Sequence, residues 1–131
     1  MTFPIINIST EKWHYEDLID YFCYDEYIYT DNELIFDKYF KNKLFCDING
    51  QVYKAIGKAE MTEKWRNWLK FIPNVWKTKI VFKDMHKTMT VEELRYFLLE
   101  RISDLKQDEF THQWKVNIKK AKSHSELIND Y

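Results

Sequence analysis

The chain has 131 residues with 20 basic and 21 acidic side chains, a formal net charge of −1. Its 45% hydrophobic and 31% charged content is ordinary for a soluble globular protein and excludes disorder, while two glycines and two prolines exclude collagen-like sequence and Gly-rich linkers. Two glycines are also too few for a G-x-G-x-x-G turn or a Walker A loop, which removes the common nucleotide-binding fingerprints.

In chain order, Phe-Pro-Ile-Ile-Asn-Ile at 3–8 reads as a short strand, with Pro4 confining it to an edge or a strand start. Ser9 or Thr10 then caps a helix in which Tyr15, Leu18, Ile19 and Phe22 make one buried face. Tyr27-Ile28-Tyr29 reads as extended, 30–32 as a turn, and 33–41 as helix or strand. Asn49-Gly50 between two β-prone runs predicts a hairpin with strands at 43–48 and 51–57, a type I′ turn, and an end at Gly57. Thr62 caps a helix with Trp65, Trp68, Leu69 and Ile72 on one side, stopped at Pro73. Residues 77–83 alternate around Ile80 and Phe82 as a strand. Thr90 and Glu93 form a capping box ahead of Val91, Leu94, Leu98, Ile102 and Leu105. Residues 112–118 alternate around Trp114, Val116 and Ile118 like a strand, and Ser123 with Glu126 caps a short closing helix. The order is α-β-β-α-β-α-β-α. It predicts a single α+β domain over residues 1–131, with about four strands, mostly antiparallel, and helices packed on the sheet.

Function is less legible than fold. No apolar run approaches the ~18 residues that span a bilayer, and the N-terminus has no basic and apolar leader pattern, so the expected setting is cytoplasmic with no membrane partner. The lone Cys23 and Cys46 read as reduced, buried thiols, with a disulfide between them left open. His14, His86, His112 and His124 have no metal-ligand spacing to one another or to cysteine, so no metal and no cofactor is expected. No G-x-S-x-G elbow is present, and no catalytic residue is assigned.

Charge is distributed unevenly. Residues 9–37 carry nine acids and one base, whereas 51–87 carry nine bases and three acids. On a wheel of residues 11–24, Trp13, Asp17, Asp20 and Tyr24 fall opposite the core face, with Glu16 beside them. Asp25, Glu26 and Tyr27 extend this acidic, aromatic pattern. Exposed Trp and Tyr are typical interface anchors, and carboxylates around them steer a basic partner. The expected partner-binding set is therefore Trp13, Glu16, Asp17, Asp20, Tyr24, Asp25, Glu26 and Tyr27; the competing assignment packs Trp13 and Tyr24 inside the domain.

This small, Gly-poor, aromatic-rich α+β chain, with its Asp47-to-Tyr53 hairpin and Trp114-to-Glu126 tail, resembles the immunity proteins of contact-dependent growth inhibition. The resemblance implies one-to-one binding of a cognate toxin domain, often a nuclease, by masking its active site or a nearby basic surface. The function these features imply is that of a non-enzymatic binding protein of this kind. One alternative is a nucleic-acid-binding or regulatory module using Lys58, Lys64, Arg66, Lys70, Lys77 and Lys79 among the aromatics of 58–83, although a pI near 6.4 disfavours nucleic acid. A third is a small enzyme using the carboxylate cluster or an assembled His site.

Overall fold

A computed structural model describes residues 1–14, 18, 21–25, 27–30, 35–59 and 76–129. Its elements are β1 (Ile5–Asn7), β2 (Phe22–Cys23), β3 (Tyr27–Thr30), α1 (Ile35–Tyr39), β4 (Leu44–Cys46), β5 (Gln51–Ala59), β6 (Trp76–Thr88), α2 (Val91–Ser103), α3 (Glu109–Lys120) and α4 (His124–Asn129). The strands form one sheet in the order β2-β1-β4-β5-β6-β3, and every pair is antiparallel. The α+β class stands. The sheet has six strands rather than about four, because the short β2 and β3 extend its two ends.

The sheet is strongly curled. β2 and β3 stand at opposite ends of the strand order, yet only residues 24–26 separate them in the chain. A flat sheet would hold those edges ~24 Å apart, at ~4.8 Å per strand spacing. The connection from Cys23 to Tyr27 reaches at most ~14 Å. Register shifts in the β5–β6 pairing, between Val52 and Tyr53 and between Ala55 and Gly57, bend the long hairpin as bulges do. The inner face collects Ile5, Cys23, Phe45, Ala55 and Ile80 from five strands, and Phe36 and Tyr39 of α1 fill it together with Phe40 in the turn that follows.

The outer face carries a second core. Ile6, Phe22 and Cys46 point into it, against Leu94, Leu98 and Ile102 of α2, Trp114 and Ile118 of α3, and Leu127 and Ile128 of α4. Thus β1, β2 and β4 are buried on both faces, which explains their unbroken apolar pairs Ile5-Ile6, Phe22-Cys23 and Phe45-Cys46. Cys23 and Cys46 are free thiols and buried, as expected.

Several elements differ from the sequence reading. In place of one helix over 11–24, Trp13 and His14 are irregular, Leu18 and Tyr21 lie in 3-10 turns, and Phe22–Cys23 is a strand. Pairing of Phe22 with Ile6 and Cys23 with Ile5 outweighs the helical spacing, an instance of tertiary contacts overriding local pattern. Tyr15 and Ile19 lie outside the described residues, as does the whole Thr62-to-Pro73 segment. Residues 112–118 belong to helix α3, not a strand: Thr111, Trp114 and Ile118 share its buried face. Its capping box is Asp108 with Thr111, outside the Ser/Thr-x-x-Glu/Gln pattern.

The β4–β5 turn is also different. Only Gly50 has positive φ (82°), not Asn49, so the type I′ geometry is replaced by a three-residue loop closed by Gly50 N donating to Asp47 O at 3.0 Å. Asp47 organises that loop, its Oδ1 accepting from Asn49 N at 2.9 Å and Gln51 N at 3.0 Å. Gly57 lies inside β5, which continues to Ala59. The Thr90–Glu93 capping box forms as expected. At α4, Ser123 Oγ accepts from Glu126 N, while the Glu126 carboxylate reaches Lys122 N instead of the cap.

Candidate functional site

The described residues of the expected partner surface divide between the core and the surface. Trp13 is 1% exposed, stacked on Tyr21 at 5.0 Å and on Trp114 at 5.8 Å. It is a core residue at the seam between the N-terminal segment and the helix layer, and its assignment as an outward anchor is corrected. Loss of the expected helix removes the wheel that placed it outside. Its backbone N–H donates to Asp104 Oδ2 at 3.3 Å, just beyond the C-terminus of α2. Glu16, Asp17, Asp20 and Glu26 lie outside the described residues. Tyr24 is 54% exposed, Asp25 is exposed and Tyr27 is half-buried, all at the crossing from β2 to β3. Asp25 Oδ1 accepts from Tyr27 N at 2.9 Å, which fixes that turn.

The basic set divides as well. Lys64, Arg66 and Lys70 lie outside the described residues. Lys58 is exposed on the inner-face side, its ammonium 5.7 Å from the Phe36 ring centre. Lys77 and Lys79 stand on β6 opposite Tyr29 and Tyr27.

Three of the described groups with chemical potential, Asp47, Cys46 and His124, are engaged structurally. Asp47 is 1% exposed and takes three backbone N–H donors, the third being Thr2 N at 3.1 Å on Oδ2. Burial, and secondarily the Asp47 charge, push the Cys46 thiol up to about 12, so it stays protonated at neutral pH. His124 Nε2 lies 2.5 Å from Met89 O, locking α4 to the strand that leads into α2. Among the described residues no group of three His, Cys, Asp or Glu side chains could hold a metal ion, and no helix is long and apolar enough to cross a membrane.

Among the described residues two exposed surfaces of opposite sign stand out. The first is the outward stripe of α2. Leu94, Leu98 and Ile102 bury its inner side, so Glu92, Tyr96 and Glu100 recur at i, i+4 and i+8 on the other, with Glu93 alongside. Tyr96 is 68% exposed. The cations of this helix are tucked beneath the stripe: the Arg95 and Arg101 side chains are 17% and 15% exposed, against 79% and 52% for Glu92 and Glu100. Arg95 bonds Glu92 and the last carbonyls of α3, at Ile118 and Ala121. Arg101 pairs with Asp104 at 3.4 Å. What α2 presents to solvent is therefore an acidic strip with a bare aromatic at its centre, on a helix fixed at both ends. This acidic-aromatic pattern is encoded in the sequence as the helix face opposite Leu94, Leu98 and Ile102, although the N-terminal segment is the more densely acidic.

The second surface is the outer face of β5 and β6. Lys54 pairs with Leu44 and two residues earlier Val52 pairs with Cys46, so Lys54 shares the face on which the helix layer sits. Lys83 is directly opposite Lys54, and Val81 is opposite Gly57. Helices cover the β2-β1-β4 half of this face. The β5-β6 half leaves Val81 37% exposed, and Ile56, in the adjoining bulge, is 49% exposed. A side chain begun at Gly57 would meet nothing within 4 Å. No protein-family profile, no characterised protein and no solved structure was found to match the chain.

Proposed function

We propose that the chain is a non-enzymatic protein-binding module that neutralises a basic protein partner, in the manner of toxin-immunity proteins. The observation that carries this reading is Tyr96, 68% exposed at the centre of the Glu92–Glu93–Glu100 stripe on a rigid, doubly anchored helix. Tyrosine is among the residues enriched as interface anchors, and a ring of carboxylates raises the capture rate of a cationic surface. Tyr24 and Asp25 supply a second acidic-aromatic corner at the β2–β3 crossing. The buried ionisable groups support binding over catalysis, since Asp47 and Cys46 serve the hairpin and the core.

The test is co-purification of the tagged chain from its native host, with the retained protein identified and then titrated in purified form. A stoichiometric basic protein is expected. Tyr96→Ala should weaken it by about 2 kcal/mol or more, roughly thirtyfold. Glu92→Lys with Glu100→Lys should chiefly slow association, most strongly at low salt. A retained partner whose affinity ignores both changes would remove α2 from the contact.

A further inference from the structure

The bare half of the outer sheet face is not a neutral surface. Lys54 and Lys83 are direct cross-strand partners, and like charges so placed oppose pairing. Among the described residues neither has a carboxylate within ion-pair distance. Between them and the sheet end lie the exposed aliphatic side chain of Val81 and the open space over Gly57, next to the bulge at the exposed Ile56. An aliphatic centre with a lysine rim has the anatomy of a protein interface. Among the described residues of this face no exposed ring offers the platform on which single-stranded bases stack. The neighbouring half of the same face is already covered by helices, so a helix is the element that continues the layer.

The molecule itself displays a helix of the required chemistry. The α2 stripe is acidic at its margins (Glu92, Glu93, Glu100) and aromatic at its centre (Tyr96), the complement of a basic rim around an aliphatic centre. We infer that the chain self-associates, the α2 stripe of one copy docking on the β5–β6 outer face of a second around Lys54, Ile56, Gly57, Val81 and Lys83. The contact is heterologous, using different patches on the two copies. It brings together two lysines, the exposed aliphatic Val81 beside the Ile56 bulge, an exposed tyrosine and a row of carboxylates whose own contacts are confined to α2 and its cap. It shares the α2 face with the partner-binding reading but does not depend on that partner.

Sedimentation of the purified full chain across micromolar to millimolar concentration tests this. At ~0.1 M ionic strength the average mass should rise with concentration above 16.2 kDa, and at ~1 M salt the rise should largely vanish, because screening shortens the reach of charge from ~10 Å to ~3 Å. Gly57→Trp fills the bare face without an internal clash, and Lys83→Glu converts a repulsive cross-strand pair into an attractive one. Both should therefore fold as well as the parent, by circular dichroism and melting, and stay monomeric. Tyr96→Ala with Glu100→Lys should also stay monomeric. Mixing this chain with Gly57→Trp should restore a one-to-one pair, since each then contributes its one intact face.

A parent chain that remains at monomer mass throughout at low salt overturns the inference. So does self-association untouched by Gly57→Trp and Lys83→Glu, or a mixture that fails to pair. Binding of a dT oligonucleotide, abolished by Lys83→Glu while the chain stays monomeric, would assign the face to nucleic acid instead. Because Gly57→Trp leaves α2 intact, retention of a basic partner by that variant keeps the two readings separately testable.

Discussion

The two halves of the sheet obey different rules. In β1, β2 and β4, adjacent residues are both apolar and both buried, one against the Phe36–Phe40–Phe45 cluster and one against the Trp13–Trp114 layer. In β5 and β6, lysine alternates with apolar residues: Lys54 before Ala55, and Lys79, Val81 and Lys83 interleaved with Ile80 and Phe82. One half is sandwiched and the other is single-faced. The lesson is that strand composition records how many layers a strand carries, and a two-sided apolar strand announces a helix layer before any helix is identified.

The largest effects should come from the sandwiched half. Trp114→Ala or Trp13→Ala should cost about 3–5 kcal/mol in urea unfolding, because each removes a large, fully buried ring from a stacked cluster. Val81→Ala, on the exposed half, should change stability by about 0.5 kcal/mol or less. A comparable loss at Val81 would show that its face is covered in the isolated chain.

The two glycines sharpen the contrast. Gly50 sits at φ 82°, and an added Cβ would lie 2.6 Å from His124 Nε2 and 2.8 Å from Met89 O. Gly50→Ala should therefore destabilise by more than about 1 kcal/mol, since the backbone conformation and the packing are both refused. Gly57 has no positive φ and open space above it, so Gly57→Ala should gain about 0.4–1 kcal/mol by restricting the unfolded chain. Equal melting temperatures for the two variants would contradict the assignment of Gly50 as the lock between the hairpin and α4.

A last contrast is a pH dependence at Cys46, which faces the helix layer. Its folded value near 12 lies above the ordinary 9.0, so the folded thiol holds its proton where the unfolded one releases it. Its stabilising contribution is full below 9.0 and falls away between 9.0 and about 12 as pH rises. The parent chain should lose more stability than Cys46→Ala across that window. Identical pH slopes for the two would place the thiol in water.

Much of the local structure was legible. The Thr90–Glu93 box, the apolar period of α2, the β4–β5 hairpin and the alternation of β6 are each encoded within a few residues, and each formed. The misread segments share one cause. The 11–24 and 112–118 stretches place apolar residues at spacings compatible with both periods, and Trp114, Val116 and Ile118 alternate on paper while Thr111, Trp114 and Ile118 line a helix in space. The acidic-aromatic character of a surface was legible too, but not its address. Trp13 shows why: an aromatic beside carboxylates reads as an exposed anchor until a stacking partner 101 positions away, Trp114, is known.

What the sequence determined by itself is the chemistry available and the local elements: an α+β chain, reduced thiols, capped helices and a hairpin at Asn49-Gly50. These depend on neighbours in the chain, and sequence is a complete record of neighbours. Tertiary structure alone decided the six-strand order, the curl that brings β2 to β3, the burial of Trp13, and the division of one sheet face into a covered and a bare half. Those outcomes rest on pairings such as Ile6 with Phe22 and Lys54 with Lys83, far apart in the chain and close only after folding. Their free energy comes from area buried between remote segments, which no local period contains.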